Sequence, residues 1–181
     1  MRPCERISNE YLEQQKLLHA SPRGYGGKGA RWVSTVLAVS DAYQAMSILD
    51  YGCGQGSLSR AIQLATGTRC LEYDPAIEGK DSAPEPADLL VCTDVLEHIE
   101  PDRLDNVLRH IRSLARKAVF VVVSTRPANK HLSDGRNAHL IIQHDAWWIA
   151  RVQAVGFTAQ PPPDIHPMKH PTLAWVGVLE P

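Results

Sequence analysis

No uninterrupted apolar run of about eighteen residues occurs in this sequence, so no membrane-spanning helix is predicted. The amino terminus, Met1-Arg2-Pro3-Cys4-Glu5-Arg6, lacks the apolar centre and small-residue cleavage site of a secretory signal, which points to a cytoplasmic location. Cysteine is sparse. Cys4, Cys53, Cys70 and Cys92 form no C-x-x-C pair, which argues against a zinc site or a disulfide framework, and three of them read as packing residues. His131 and His144 have no histidine four residues away, so no metal is expected. Net charge is only −1, which argues against nonspecific nucleic-acid binding.

What the chain does have is a regular alternation of strand-length apolar runs with amphipathic segments. That pattern predicts an α/β protein: a doubly wound, mostly parallel sheet covered by helices on both faces. At 181 residues the chain forms one ordinary domain, long enough to bury roughly 70% of its unfolded surface. Leu104, Val107, Leu108, Ile111 and Leu114 recur at helical spacing and predict a helix over 102–116 with Pro101 at its entrance. Leu58, Ala61, Ile62 and Ala65 mark a shorter helix, and Trp32, Val33, Val36 and Leu37 another. Asp145 is the expected cap of a helix that presents Trp148, Val152 and Val155 and stops at Gly156. Strands are expected at Ile48–Asp50, Cys70–Asp74, from Ala87, at Val119–Ser124, after Phe157 and at Leu173–Leu179. Pro161, Pro162 and Pro163 interrupt the chain before the last of these.

The most informative segment is Ile48-Leu49-Asp50-Tyr51-Gly52-Cys53-Gly54-Gln55-Gly56-Ser57, an apolar strand followed by an acid and three alternating glycines. Glycine lacks Cβ, so backbone N–H groups there can approach a ligand at a helix start. A dinucleotide fingerprint needs G-x-G-x-x-G. Counting from Gly52 or Gly54 puts Ser57 or Ser59 at the third glycine, which disfavours a nicotinamide oxidoreductase. No G-K-S/T follows, which removes the phosphate-loop reading. What stands is D-x-G-x-G-x-G, and on it the chain resembles the class I S-adenosylmethionine-dependent methyltransferases. Cys70-Leu71-Glu72-Tyr73-Asp74-Pro75 fits the second strand with its terminal acid. Ala87 to Ile99, containing Asp94-Val95-Leu96-Glu97-His98, resembles the fourth strand and its turn. The resemblance covers about residues 46 to 180.

That resemblance implies a Rossmann-like methyltransferase core over 46–181 and, over 1–45, a helical segment that folds over the cofactor as a lid. A plain packing helix with a loop explains the same residues Tyr11, His19, Tyr25 and Lys28 equally well. It implies S-adenosylmethionine as donor and S-adenosylhomocysteine as product. The donor's partners are Asp50, Gly52, Cys53, Gly54 and Gly56, then Glu72, Tyr73 and Asp74, then Thr93 and Asp94. Asp74 is the better ribose candidate, and Glu72, two residues away on the same strand face, is its alternative. One departure stands out. Ile77 to Pro86 holds two prolines and almost no apolar periodicity, so the family's third strand is expected to be reduced or missing, and Asp81 and Ser82 are the candidates for the adenine side.

In-line methyl transfer asks the protein mainly for orientation, and for a base only where the nucleophile arrives protonated. Asp94, His98 and His139 are the candidate bases, each with the alternative of a structural role. Arg126, Lys130 and Arg136 follow the fifth strand, where they either attract an anionic acceptor or solubilise a loop. Arg103, Arg109, Arg112, Arg116 and Lys117 read as a solvated helix face. No N-P-P-F/Y-like run and no Pro-Cys pair is present, which disfavours methylation of DNA bases. The expected acceptor is a small molecule, sugar or nucleotide-like compound taken at oxygen or nitrogen. The expected pocket is shallow, or else completed by a partner or a second copy of the chain. The alternative is a noncatalytic module that binds the donor and regulates a partner.

Overall fold

The computed structural model describes residues 6–21, 25–160 and 174–181. Expectations that involve Met1 to Glu5, Gly24 or the proline-rich stretch 161–173 lie outside the described residues. The elements are α1 (Asn9–His19), α2 (Val33–Ala42), β1 (Ile48–Tyr51), α3 (Ser57–Thr66), β2 (Leu71–Tyr73), β3 (Ala87–Thr93), α4 (Leu104–Leu114), β4 (Ala115–Ser124), α5 (Asp145–Ala154), β5 (Thr158–Gln160) and β6 (Ala174–Glu180). Six strands pair in the order β2-β1-β3-β4-β6-β5. The first four are parallel neighbours, and β6 inserts antiparallel between β4 and β5.

Side chains alternate across a strand, so each strand feeds two cores. On β3, Leu89 and Val91 join Trp32, Val36, Leu58 and Ile62 under α2 and α3. Leu90 and Cys92 join Leu104, Leu108 and Ile111 of α4 and Trp148 and Val152 of α5 on the opposite face. With both faces covered, the central strands lose the polar alternation of a half-exposed sheet, which is why they read as continuous apolar runs. A third, smaller cluster of Tyr11, Leu132 and Ala138 forms where α1 meets the loop after β4.

Between Tyr73 and Ala87 the described backbone holds no strand, and three-residue β2 is the edge of the sheet. Pro84 and Pro86 lack the N–H that a ladder needs, in keeping with the expected loss of the third strand.

Several boundaries differ from the sequence reading. Helix α4 stops at Leu114, and β4 begins at the next residue, four residues before the expected Val119. Arg116 and Lys117 hid this extension: they belong to the strand and reach Asp88 on neighbouring β3 at 4.0 and 3.5 Å, where the register shifts by a bulge. They are therefore not part of a helix face. The side-chain cap of α5 is His144, which accepts from Trp147 N. Asp145 is instead its first helical residue.

The chain leaves β1 towards β2 on one side and comes back to β3 on the other. That reversal opens a crevice beyond the carboxyl ends of β1 and β3, where ligands of open α/β sheets bind.

Candidate active site

Into this crevice the sequence delivers the glycine loop. Gly52, Gly54 and Gly56 have φ of 75°, 50° and 70°, a region that side chains with Cβ avoid. Space is short as well. A Cβ on Gly54 would lie 2.5 Å from the carbonyl oxygen of Gly26, and one on Gly52 would lie 2.4 Å from Val95 Cγ2. The loop is tied to β2 at several points: Gly52 N and Cys53 N donate to Tyr73 O at 2.7 and 3.1 Å, and Gly54 N donates to Asp74 Oδ2 at 3.0 Å. Asp74 Oδ1 accepts from Ala76 N at 2.9 Å. Lys80 closes the outer side, donating to Gly54 O at 3.2 Å and pairing with Glu72 at 3.1 Å.

A roof comes from the amino-terminal segment. Tyr11 donates to His98 O, Ser8 N donates to Glu100 at 2.8 Å, and Gln14 donates to Asp134 at 3.0 Å. His19 Nε2 stands 3.8 Å from Asp74, Gln55 N donates to Gly26 O at 2.9 Å, and Arg31 pairs with Asp94. Beneath lies a cavity of about 1280 Å³. Single-ligand pockets run to roughly 1,000 Å³, so this one has room for a nucleoside-sized ligand and a second molecule beside it.

Of the residues expected to meet the donor, Asp50, Gly52, Cys53, Gly54, Tyr73, Asp74, Thr93 and Asp94 line the cavity. Gly56 and Glu72 are not among its lining residues. Gly56 starts α3, and a Cβ there would fall 2.2 Å from Glu72 Oε1. Asp81 and Ser82 are exposed and do not line the cavity, whereas Pro75 and Ala76 do. Asp50 is 4% exposed, at the wall of the cavity. Burial, reinforced by Glu72 and only partly offset by Lys80, pushes its pKa up to about 7. A positively charged group arriving in the cavity would relieve that cost.

The three candidate bases also converge on the cavity. Asp94 holds φ of 56° and is engaged by Arg31. His98 gives its Nδ1 to Ala138 O at 2.7 Å, with the Tyr25 hydroxyl 3.1 Å from the same nitrogen. Burial, with His139 as the next contributor, lowers its pKa to about 3, so it is neutral at physiological pH. His139 shares its Nδ1 with Arg126 O, and the two imidazoles pack edge to face at 4.6 Å. Arg126 and Lys130 line the same cavity, Lys130 lying 5.3 Å over the Tyr25 ring, whereas Arg136 is held by Asp134.

Sequence reading did not single out Glu97. It is fully buried, Oε1 accepts from Ser124 N at 2.9 Å, Oε2 has no partner among the described residues, and burial pushes its pKa up to about 8. Its neighbour in sequence is His98, but His139 is supplied by a distant loop, so spacing alone did not group the three. Only an ionisable residue in the turn that follows a buried strand hinted at a role.

Residues 24–163 match the family described as a methyltransferase domain. No protein of curated function matches the chain in sequence. Among solved structures, the Burkholderia thailandensis 1,6-didemethyltoxoflavin-N1-methyltransferase, with 1,6-didemethyltoxoflavin and S-adenosylhomocysteine bound, superposes with a TM-score of 0.65 at 17% identity over 96% of this chain and 90% of that one. DhpI in complex with SAH gives 0.60 at 17% identity over 97% and 98%. The magnesium protoporphyrin IX methyltransferase of Synechocystis PCC 6803, with SAH bound, gives 0.57 at 15% identity over 95% and 94%. At these identities the likeness is one of fold, and the family match covers most of the chain. Sheet order, glycine loop and family match agree, and this chain belongs to the methyltransferase-domain family.

Proposed function

We infer that the protein is an S-adenosylmethionine-dependent methyltransferase acting on an oxygen or nitrogen atom of a small-molecule, sugar or nucleotide-like acceptor. The observation that carries this reading is the buried carboxylate of Asp50 at the wall of the cavity, beside a glycine loop that leaves no room for a Cβ. A site of this kind fits the cationic amino-acid end of the donor. Asp50 would hold the ammonium group, the loop from Gly52 to Gly54 would meet the methionine portion, and Asp74, which lines the cavity where Glu72 does not, would meet the ribose hydroxyls. When bound, the donor supplies a methyl group on a sulfonium, already a good leaving group.

The chain's own task is positioning. With one ligand against the glycine loop, the remaining volume under Tyr25, His98 and His139 holds the acceptor against it, and orientation of this kind removes several kcal/mol of barrier. The roof of α1 and residues 25–31 excludes water and acts as the lid. Toxoflavin- and porphyrin-type acceptors of the structural neighbours favour a small organic acceptor here as well.

Incubation of the full chain with methyl-labelled donor and fractionated cell extract should label a small molecule and release S-adenosylhomocysteine. Calorimetric binding of S-adenosylhomocysteine without any labelled product from any fraction would favour the regulatory module. No binding by folded protein would remove the donor assignment altogether.

A further inference from the structure

We propose that Glu97, His98 and His139 form a divalent-metal site in the floor of the acceptor side of the cavity, binding a zinc-class ion through Glu97 Oε2 and the Nε2 atoms of both histidines. One ligand atom from each of these residues lies within 4.8 Å of the others. Ligands at roughly 2.0–2.2 Å from a tetrahedral Zn²⁺ stand about 3.4 Å apart, so closure asks the three side chains to draw in by about an ångström.

The hydrogen bonds prepare both rings for coordination. A carbonyl oxygen only accepts, so the contacts to Ala138 O and Arg126 O fix the proton on Nδ1 of each ring. Each Nε2 then carries a lone pair. Tethering of the remote ring nitrogen is the outer-shell arrangement that orients metal-binding histidines. Asn137 supports the second of them, its Oδ1 accepting from Ala128 N at 2.9 Å and from His139 N at 2.9 Å. Independently, Glu97 Oε2 is buried without a partner among the described residues although Oε1 is bonded, a deficit that destabilises the fold unless something binds there. A cation answers all three groups at once.

Two imidazoles and one carboxylate select zinc and its transition-metal neighbours over magnesium, which takes mostly oxygen. Three protein ligands leave at least one coordination position open, and His98 and His139 line the cavity. Resting on the methyl-transfer reading above, that open position favours acceptors that present an oxygen donor, of the hydroxyl class.

The test uses untagged full-length protein, stripped with chelator and titrated with Zn²⁺, and separately with Co²⁺ followed by visible absorption. One equivalent should bind, with a Co²⁺ spectrum of a low-coordinate nitrogen–oxygen site. His139→Ala should weaken Zn²⁺ binding by about a hundredfold, and Asn137→Ala, which only orients His139, by about tenfold. Glu97→Gln should behave like His139→Ala, with folding of each variant checked by circular dichroism. The sequence also holds His166 and His170 four residues apart. The double variant His166→Ala/His170→Ala should bind as the parent does. Absence of a stoichiometric ion in folded protein, or loss of binding only in that double variant, would overturn the proposal. Binding of S-adenosylhomocysteine, measured in parallel without metal, separates failure of this site from failure of the methyltransferase reading.

Discussion

The substitution Asp50→Asn should make the folded protein more stable and the site useless. The carboxyl is 4% exposed, and burial raises its pKa from the ordinary 3.8 to about 7. Near pH 2 it is protonated in both folded and unfolded chains, and the two proteins should differ little. As pH rises, the unfolded chain loses this proton first, so the parent loses stability at about 1.4 kcal/mol per pH unit until the folded group ionises near 7. The shift of about three units corresponds to roughly 4 kcal/mol at pH 8, and an amide is free of this penalty. For a domain of this size that equals a rise in Tm on the order of 10 °C. Urea unfolding at pH 5.5, 7 and 8.5 should show a gap that grows and then levels off. In the same variant S-adenosylhomocysteine affinity should collapse, and in the parent that affinity should fall about tenfold per unit below pH 7, because binding must then expel a proton. A gap that is constant with pH, or a variant less stable than its parent at pH 8.5, would refute the reasoning.

Gly54→Ala should cost S-adenosylhomocysteine affinity at least tenfold by calorimetry. The left-handed backbone alone disfavours Ala by about 1–2 kcal/mol, and its methyl would press against the Gly26 carbonyl, forcing roof and loop apart. Phe120→Ala, in β4 with no exposed surface and 5.9 Å from the Trp32 ring, should lower unfolding free energy by about 3–5 kcal/mol in urea titrations while leaving the metal and donor sites in place in the protein that remains folded.

The sheet was legible because strands buried on both faces must be apolar throughout: Leu89 to Cys92 and Val119 to Val123 permit little else. The glycine loop was legible because its backbone φ values require the residue type. Where polar residues take part in regular structure the pattern went silent, as with Arg116 and Lys117, which are exposed as expected but lie on a strand beside Asp88 and not on a helix. Sequence favoured Asp74 over Glu72 without being able to separate them by strand face; in the structure Asp74 lines the cavity and Glu72 pairs with Lys80. Glu97 escaped notice because a fully buried carboxylate has no sequence signature, and its relation to His139 depends on a loop that returns after more than forty residues.

The roof has a consequence for the order of assembly. Residues 8–21 and 25–31 precede the groups they fasten to, Asp94, His98, Glu100 and Asp134, by some 60 to 120 positions. Contacts of such long loop closure form late, after local helices and the central strands have met. Refolding should therefore pass through a stage in which Trp148 is buried and ligand capture is not yet possible, and competence to bind becomes the last property the molecule acquires.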